Sequence, residues 1–511
     1  MSTPDQRLTF RNIGIVGTGA MGRGIAQIAA QAGATVHMLD AQPSAVEAAC
    51  HALRDTWDKL VAKGRLEASA AAACAQRLVP VTEVAQLAPC ELVIEAIVER
   101  LDAKQALFAQ LEDVVAPDAV LATNTSSLSV TAIGSRLLAP QRLAGFHFFN
   151  PVPLMKVVEV VRGLKTDAGV AERLAAFARD MGHTPVLAQD TPGFIVNHAG
   201  RGYITEALRI AGERVADFAT IDRILKDQMG FRLGPFELLD LTALDVSQPV
   251  MESIYHQYYE EPRFRPSVIA AQRLAGGVLG RKVGEGFYRY VDGQAQLPPE
   301  PPVPPVAVLP PVWVPGRATR RAELLQLLKD LGAQIETAAQ PSADALIVVA
   351  PLWHDVTTVA AVERLDPGRT VGIDMMLPDD AVKRRVLATN PATRSDMRAA
   401  AHALFARDGK AVSVIRDSGG FVTQRVVATI VNIAADICQQ GICTPADLET
   451  AVTLGLGYPA GPLAMGDRVG AASVLEILFN LQTVYGDMRY RPSPWLRRRG
   501  ALGLSLLHTE D

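Results

Sequence analysis

Blocks of one charge sign, cysteine pairs at metal-ligand spacing and long apolar runs are all missing from this chain of 511 residues, and each absence removes a class of function. Its 50 basic and 54 acidic residues are spread along the whole length, so no segment offers a field that would attract nucleic acid or an anionic membrane. The five cysteines, Cys50, Cys74, Cys90, Cys438 and Cys443, contain no CxxC pair. They read as small buried hydrophobes in a reducing compartment, with no metal implied. No uninterrupted apolar stretch approaches the roughly 18 residues that a membrane span needs. The opening MSTPDQRLTF lacks the basic region and apolar run of a leader, so a cytoplasmic protein is expected.

What is present is ordinary soluble α/β composition, 49% apolar and 20% charged, in a chain long enough for three or four domains. From Arg11, RNIGIVG is a short apolar run ending in glycine, GRGIAQIAAQAGA has helical spacing, and TVHMLD is a second strand. That is a βαβ unit. Further strands at Leu92 to Ile97, Val120 to Thr123 and Gly145 to Phe149 alternate with Ala- and Leu-rich helical segments, which predicts a mostly parallel, doubly wound Rossmann-like sheet. From Gly193 to about Tyr290 helical spacing takes over. LPPEPPVPPVAVLPPVWVPG then reads as a stiff, extended linker, because proline cannot continue a helix and is mostly excluded from central strands.

The two sides of this linker are alike. SVTAIGSRLLAPQRLAGFHFFNP, ending at Pro151, aligns without gaps to VTTVAAVERLDPGRTVGIDMMLP, ending at Pro378, an offset of 227 that also pairs Asp190 with Asp417, Gly234 with Gly461 and Asp240 with Asp467. The second half therefore reads as a degenerate, truncated copy of the first. The expected domains are 1–190 (Rossmann-like), 191–292 (helical), 293–316 (linker), 317–416 (truncated α/β) and 417–511 (second helical).

GTGAMG places Gly17, Gly19 and Gly22 between a strand and a helix, where backbone N–H groups at the positive helix end can approach a pyrophosphate. About 20 residues on, Asp40 ends the next strand; a carboxylate there accepts hydrogen bonds from a free ribose and repels a 2′-phosphate, which selects NAD over NADP.

A second cluster lies in NTSSL (Asn124 to Leu128), GFHFFNPVPLMKVVEVV (Gly145 to Val161) and DTPGFIVNHAGRGY (Asp190 to Tyr203), with ELVIEAIVERLDAK and GRKVGEGFY beside it. In these motifs the chain, from about Arg11 to Tyr290, resembles the 3-hydroxyacyl-CoA dehydrogenase family. The likeness is closer to its long two-part bacterial members associated with phenylacetate degradation, which act on 3-hydroxyadipyl-CoA. The resemblance implies an acyl-CoA substrate, with 3-hydroxyadipyl-CoA and 3-hydroxybutyryl-CoA as candidates. It implies His147 as the catalytic base, Glu159 as its orienting partner, and Ser126 and Asn197 as groups that hold the substrate oxygen. Glu99, Lys104, Asn124 and Lys282 would line the nicotinamide ribose and phosphates, and Thr56 and Lys63 would contact coenzyme A. His198 departs from the family pattern, which has Arg there in its short members.

The residue types suit that chemistry. An imidazole with an ordinary pKa near 6.5 can take the hydroxyl proton as hydride leaves C3, a carboxylate on its far nitrogen fixes the tautomer, and neutral donors steady the oxygen. Two rivals stay open at this level: a dehydrogenase of small hydroxy acids without CoA, and a non-catalytic NAD-binding or scaffold protein, the latter apt for the second half. There the offset sets Trp353 opposite Ser126, Asp374 opposite His147, Val386 opposite Glu159 and Gln424 opposite Asn197. Short family members pair through their helical domains, so the expected partners are the chain's own two helical domains, with a further homodimer open.

Overall fold

The structure is a computed structural model that describes residues 8–510. The reading of the chain start rests mostly on residues 1–7, outside the described part. The first half runs β1 (Asn12–Val16), α1 (Ala20–Ala32), β2 (Thr35–Leu39), α2 (Pro43–Ala62), α3 (Ala68–Gln76), β3 (Leu78–Pro80), β4 (Leu92–Glu95), α4 (Leu101–Val114), β5 (Val120–Thr123), α5 (Val130–Ile133), β6 (Leu143–Phe148), β7 (Val157–Arg162), α6 (Ala168–Asp180) and β8 (Thr184–Gln189). Helices α7 (Val196–Ala199), α8 (Arg201–Gly212), α9 (Phe218–Met229), α10 (Pro235–Thr242), α11 (Leu244–Gln257) and α12 (Val268–Ala275) follow, then a hairpin of β9 (Arg289–Val291) and β10 (Gln294–Gln296).

The second half runs β11 (Val312–Trp313), α13 (Arg321–Asp330), β12 (Leu346–Val349), α14 (Val356–Val362), β13 (Thr370–Ile373), β14 (Arg384–Thr389), α15 (Ser395–Phe405) and β15 (Ala411–Arg416). It ends in helices α16 (Val422–Gln439), α17 (Pro445–Gly455), α18 (Pro462–Val469), α19 (Ala471–Tyr485) and α20 (Pro494–Leu502).

Two compact units result, and their borders do not follow the chain: one is residues up to 198 plus 440–456, the other 199–439 plus 457–511. The first unit is built on an eight-stranded sheet, order β3-β2-β1-β4-β5-β6-β7-β8, parallel throughout except between β6 and β7. Strands β4, β5 and β6 are buried at every position, as expected of a sheet covered on both faces, and the strand order reverses direction between β1 and β4. A helix from the far end of the sequence belongs to this unit. Helix α17 packs on β7 and β8, the N–H of Gln189 donates to the carbonyl of Ile442 at 2.8 Å, and a Cβ on Gly455 would stand 3.0 Å from the Val196 side chain.

The second unit holds a five-stranded sheet, β11-β12-β13-β14-β15, again with one antiparallel pair, β13 with β14. Here α9 packs on β14: Lys383 N–H donates to the Asp227 carbonyl at 3.0 Å, and Arg416 N–H donates to the Val215 carbonyl at 2.9 Å. Helices α8 and α16 lie so close that a Cβ on Gly202 would be 3.1 Å from Ile430 Cα. Beside that contact the buried Arg425 pairs with Glu206 at 2.7 Å and with Glu213 at 2.6 Å.

Elements recur at the offset seen in the sequence. Strands β7 and β14, β8 and β15, and helices α10 and α18 have equal bounds 227 positions apart. The antiparallel register also recurs, with Gly145 opposite Val161 and Gly372 opposite Ala388. Two features differ from the linear reading. The segment 440–456 leaves the second helical stretch for the first sheet, and the expected linker is held at its ends and middle. β10 and β11 fall inside 293–316, and Glu300 accepts from both terminal nitrogens of Arg384 at 2.8 and 2.7 Å.

Among the described residues no helix is long and apolar enough to cross a membrane. Nor does any group of three or more His, Cys, Asp or Glu there have metal-holding geometry.

Candidate active site

The turn between β1 and α1 has the backbone that its glycines allow. Gly17 has φ +95°, and a Cβ there would meet the Ala96 carbonyl at 2.5 Å; one on Gly22 would overlap the Gly17 carbonyl at 1.8 Å. A Cβ on Gly19 would meet nothing within 4 Å, and Gly19 is the N-cap of α1 with no side chain closing the helix end. The orphan amides of that end and the clear space above them suit a pyrophosphate. Asp40 is fixed one strand away: Oδ2 accepts from Thr18 N–H at 2.7 Å and Thr18 Oγ1 at 3.0 Å, and Oδ1 from Gln42 N–H at 3.1 Å. Burial pushes its pKa up, but these donors outweigh burial and hold it below the ordinary aspartate value, so the group presents a charge. These residues fit NAD.

His147 and Glu159 are register partners across the antiparallel β6–β7 pair, which points both side chains to one face. His147 Nδ1 lies 2.6 Å from Glu159 Oε2, with His147 5% exposed and Glu159 fully buried. The other carboxylate oxygen accepts the N–H groups of Ile195 at 2.9 Å and Val196 at 2.8 Å. One carboxylate therefore orients the imidazole and anchors the turn that carries Asn197. Phe149 and Phe194 close around the ring, centroids 4.5 and 5.8 Å away.

Ser126 sits beyond the end of β5 in a loop gathered on Glu99. Glu99 Oε1 accepts from Thr125 Oγ1 at 2.7 Å, Ser126 N–H at 2.8 Å and Ser127 N–H at 3.1 Å. Burial raises the Glu99 pKa, yet the Lys104 ammonium and these donors pull it below the usual carboxylate range. Lys104 was expected to line the cofactor; instead only 1% of it is exposed, and its Nζ lies 2.5 Å from Glu95 and 3.2 Å from Glu99. The structure places it underneath the loop. Glu95 was not singled out from the sequence. Fully buried at the end of β4, it also accepts from Thr123 Oγ1 at 2.6 Å and Ile97 N–H at 2.7 Å. A carboxylate inside the apolar run LVIE was the available signal, since a buried charge needs a partner.

Asn124 Oδ1 accepts from Phe148 N–H at 2.8 Å, tying the ends of β5 and β6. Asp190, seen earlier only as a repeated residue, accepts from Ser129 Oγ, Val130 N–H and Thr131 N–H and so pins the start of α5. The remaining expected contacts are dispersed. Thr56 Oγ1 donates to the Ala52 carbonyl within α2 at 2.7 Å, Lys63 is an exposed residue just past that helix, and Lys282 pairs with Asp245 in the second unit.

The equivalent positions of the second half are closed on themselves. Gln424 Oε1 accepts from Trp353 N–H at 2.9 Å and its Nε2 donates to Asp374 Oδ1 at 3.0 Å. Burial raises the pKa of Asp374.

The chain is similar to known proteins over nearly its whole length. The profile of the 3-hydroxyacyl-CoA dehydrogenase NAD-binding domain matches residues 12–191, and that of the family's C-terminal domain matches 193–290 and again 420–505. A 3-hydroxyadipyl-CoA dehydrogenase of Escherichia coli K12 is 37% identical over 97% of this chain and 98% of its own. The crystal structure of 3-hydroxybutyryl-CoA dehydrogenase from Escherichia coli K12 superposes with a TM-score of 0.84 at 36% identity, covering 96% of this chain and 98% of that one. A shorter (S)-3-hydroxybutyryl-CoA dehydrogenase from Ralstonia eutropha, 35% identical with a TM-score of 0.54, is covered completely by 55% of this chain. With a glycine turn and ribose carboxylate shaped for NAD beside a buried His–Glu pair, this chain belongs to the 3-hydroxyacyl-CoA dehydrogenase family of NAD-dependent oxidoreductases.

Proposed function

We propose that the chain oxidises the 3-hydroxyl of 3-hydroxyadipyl-CoA and 3-hydroxybutyryl-CoA at a single site in its first half, in the cytoplasm and within acyl-CoA breakdown of the phenylacetate type. The observation that carries the site is the 2.6 Å contact between His147 Nδ1 and a buried Glu159. That contact keeps a proton on Nδ1 and leaves Nε2 as the basic atom. Nε2 takes the hydroxyl proton, and Glu159 stabilises the imidazolium that forms. Bound NAD supplies the hydride acceptor, so the alcohol carbon loses hydride as its oxygen loses the proton and becomes a ketone. Ser126 and Asn197, on turns anchored by the carboxylates of Glu99 and the buried Glu159 respectively, hold the polarised oxygen. Family membership sets aside a small hydroxy-acid dehydrogenase that does not use CoA.

The second half is read as a silent copy whose role is to complete the fold. Three things support this: the recurrence of elements at 227 positions, the double match of the C-terminal family profile, and the replacement of His147 by a sealed aspartate. In this reading the α8–α16 packing is an internal version of subunit pairing.

Kinetics with NAD and a panel of 3-hydroxyacyl-CoA thioesters tests the substrate. The expected result is the highest kcat/KM for 3-hydroxyadipyl-CoA and 3-hydroxybutyryl-CoA. A preference of tenfold or more for long-chain thioesters over both would contradict it.

A further inference from the structure

Helix α17 comes from the second half of the chain, yet it belongs to the compact unit of the first sheet. Its apolar residues Leu448, Ala451 and Val452 are buried at helical spacing, and Gly455, one turn further on, ends the same stripe. A side chain at position 455 has no room. Its Cβ would stand 3.0 and 3.2 Å from the two methyls of Val196 and 3.4 Å from a methyl of Val157, inside the roughly 3.5–4.0 Å optimum for carbon contacts. Both valines are buried, so the bare helix backbone rests directly on them.

The two valines lead straight to the reacting pair. Val157 stands two residues before Glu159 on β7, and side chains at that spacing share a face of the sheet. Val196 precedes Asn197 and donates its N–H to Glu159 Oε1 at 2.8 Å, while Glu159 Oε2 lies 2.6 Å from His147 Nδ1. From Gly455 the path to the imidazole therefore runs through one residue and one carboxylate.

The second half holds the same contact in a different form. At the 227 offset Gly455, Val196 and Val157 correspond to Gln228, Thr423 and Arg384. There the longer Gln228 reaches both partners through its amide, Oε1 accepting from Thr423 Oγ1 at 2.5 Å and Nε2 donating to the Arg384 carbonyl at 3.4 Å. The bare backbone is found on the side whose turn carries Asn197.

We propose, on the basis of the His147 site put forward above, that Gly455 is a positioning residue for that site: the backbone of α17 braces Val157 and Val196 and so fixes Glu159 and the Asn197 turn against His147. The second half then supplies no reacting group but holds those of the first in place. Displacing the turn by a few tenths of an ångström lowers turnover, because the reacting atoms must be held closely. Alanine is a better helix former than glycine, so a loss in Gly455→Ala comes from the contact and not from the helix. The whole chain is assayed with NAD and 3-hydroxybutyryl-CoA, and kcat is expressed per titrated NAD site, which removes any unfolded fraction. The expected result is a kcat lowered roughly three- to tenfold in Gly455→Ala and further in Gly455→Val. KM for NAD should stay within about twofold, because the glycine turn and Asp40 stand by β1 and β2, across the sheet from β7. Adding Val196→Ala to Gly455→Ala keeps the N–H to Glu159 and removes the methyls in the way, so it should restore most of the lost kcat. Unchanged kcat in both Gly455 variants would overturn the bracing role. So would the absence of any recovery in the double variant, or a rise in KM for NAD as large as the fall in kcat. His147→Gln, run alongside, separates the two levels: near-normal turnover by it removes the site and this role together, whereas a loss in it beside unchanged Gly455 variants removes the bracing role alone.

Discussion

At His147 the tautomer is chosen by one carboxylate that also holds the Asn197 turn, so Glu159→Gln separates orientation from basicity. A glutamine oxygen can still accept the Ile195 and Val196 amides, but its NH2 then faces Nδ1 and drives the imidazole proton to Nε2, the atom that must be free. kcat should fall by roughly two or more orders of magnitude with NAD affinity intact, by analogy with other His–carboxylate pairs; a loss under threefold would show that the base needs no such partner. Lys104 bears on stability instead. Its ammonium is the only cation within salt-bridge reach of Glu95 among the described residues, so Lys104→Met strands a fully buried carboxylate and should cost about 3–5 kcal/mol of stability. A thermal midpoint within a degree or two of the unaltered protein would refute that. The His147–Glu159 pairing was legible from the sequence because both residues stand in one short motif. The burial of Lys104 was not, because GTGAMG and HFFNP announce ligands, whereas a charge under a loop depends on Glu95 in a neighbouring strand.

On the scale of elements, the two helices that change sheets are the least legible feature. Nothing local in α9 or α17 distinguishes a helix that packs on its own half from one that crosses, since either choice buries the same apolar face. Contacts more than 150 residues apart decide it. Strands β1, β2 and β5 and the glycine turn, by contrast, were readable from local pattern. Asp222, on α9 but bonded to the start of α10 and to Tyr288, makes stability sensitive to pH. Burial raises its pKa to about 7, against donors from Tyr288, Phe236 and Glu237, which pull the other way. Because the folded value exceeds the unfolded value near 4, this group's contribution to stability is fully present below about pH 4 and is lost as pH rises toward and through 7. The expected outcome is a thermal midpoint that declines from pH 5 to 8 and declines less in Asp222→Asn; equal slopes in the two proteins would contradict it. A chain ending at Tyr290 loses α17 from β7 and β8 as well as α16 from α8, so it should aggregate, or dimerise to restore both contacts. A soluble monomer as heat-stable as the whole chain would show those contacts to be dispensable.

In the proposed function the whole molecule carries one chemical site on two halves. Calorimetric titration should give one NAD per chain, with Asp40→Ala narrowing the preference over NADP; two NAD per chain would revive the second half as a cofactor site. In the proposed mechanism the proton leaves through His147 alone, which parallel steady-state kinetics of His147→Gln and Asp374→Ala will decide. The predicted result is a fall in kcat of roughly a hundredfold or more for the first, in line with general-base contributions, with unchanged NAD affinity and an unchanged kcat for the second. Near-normal turnover by His147→Gln, or a comparable loss in Asp374→Ala, would contradict it.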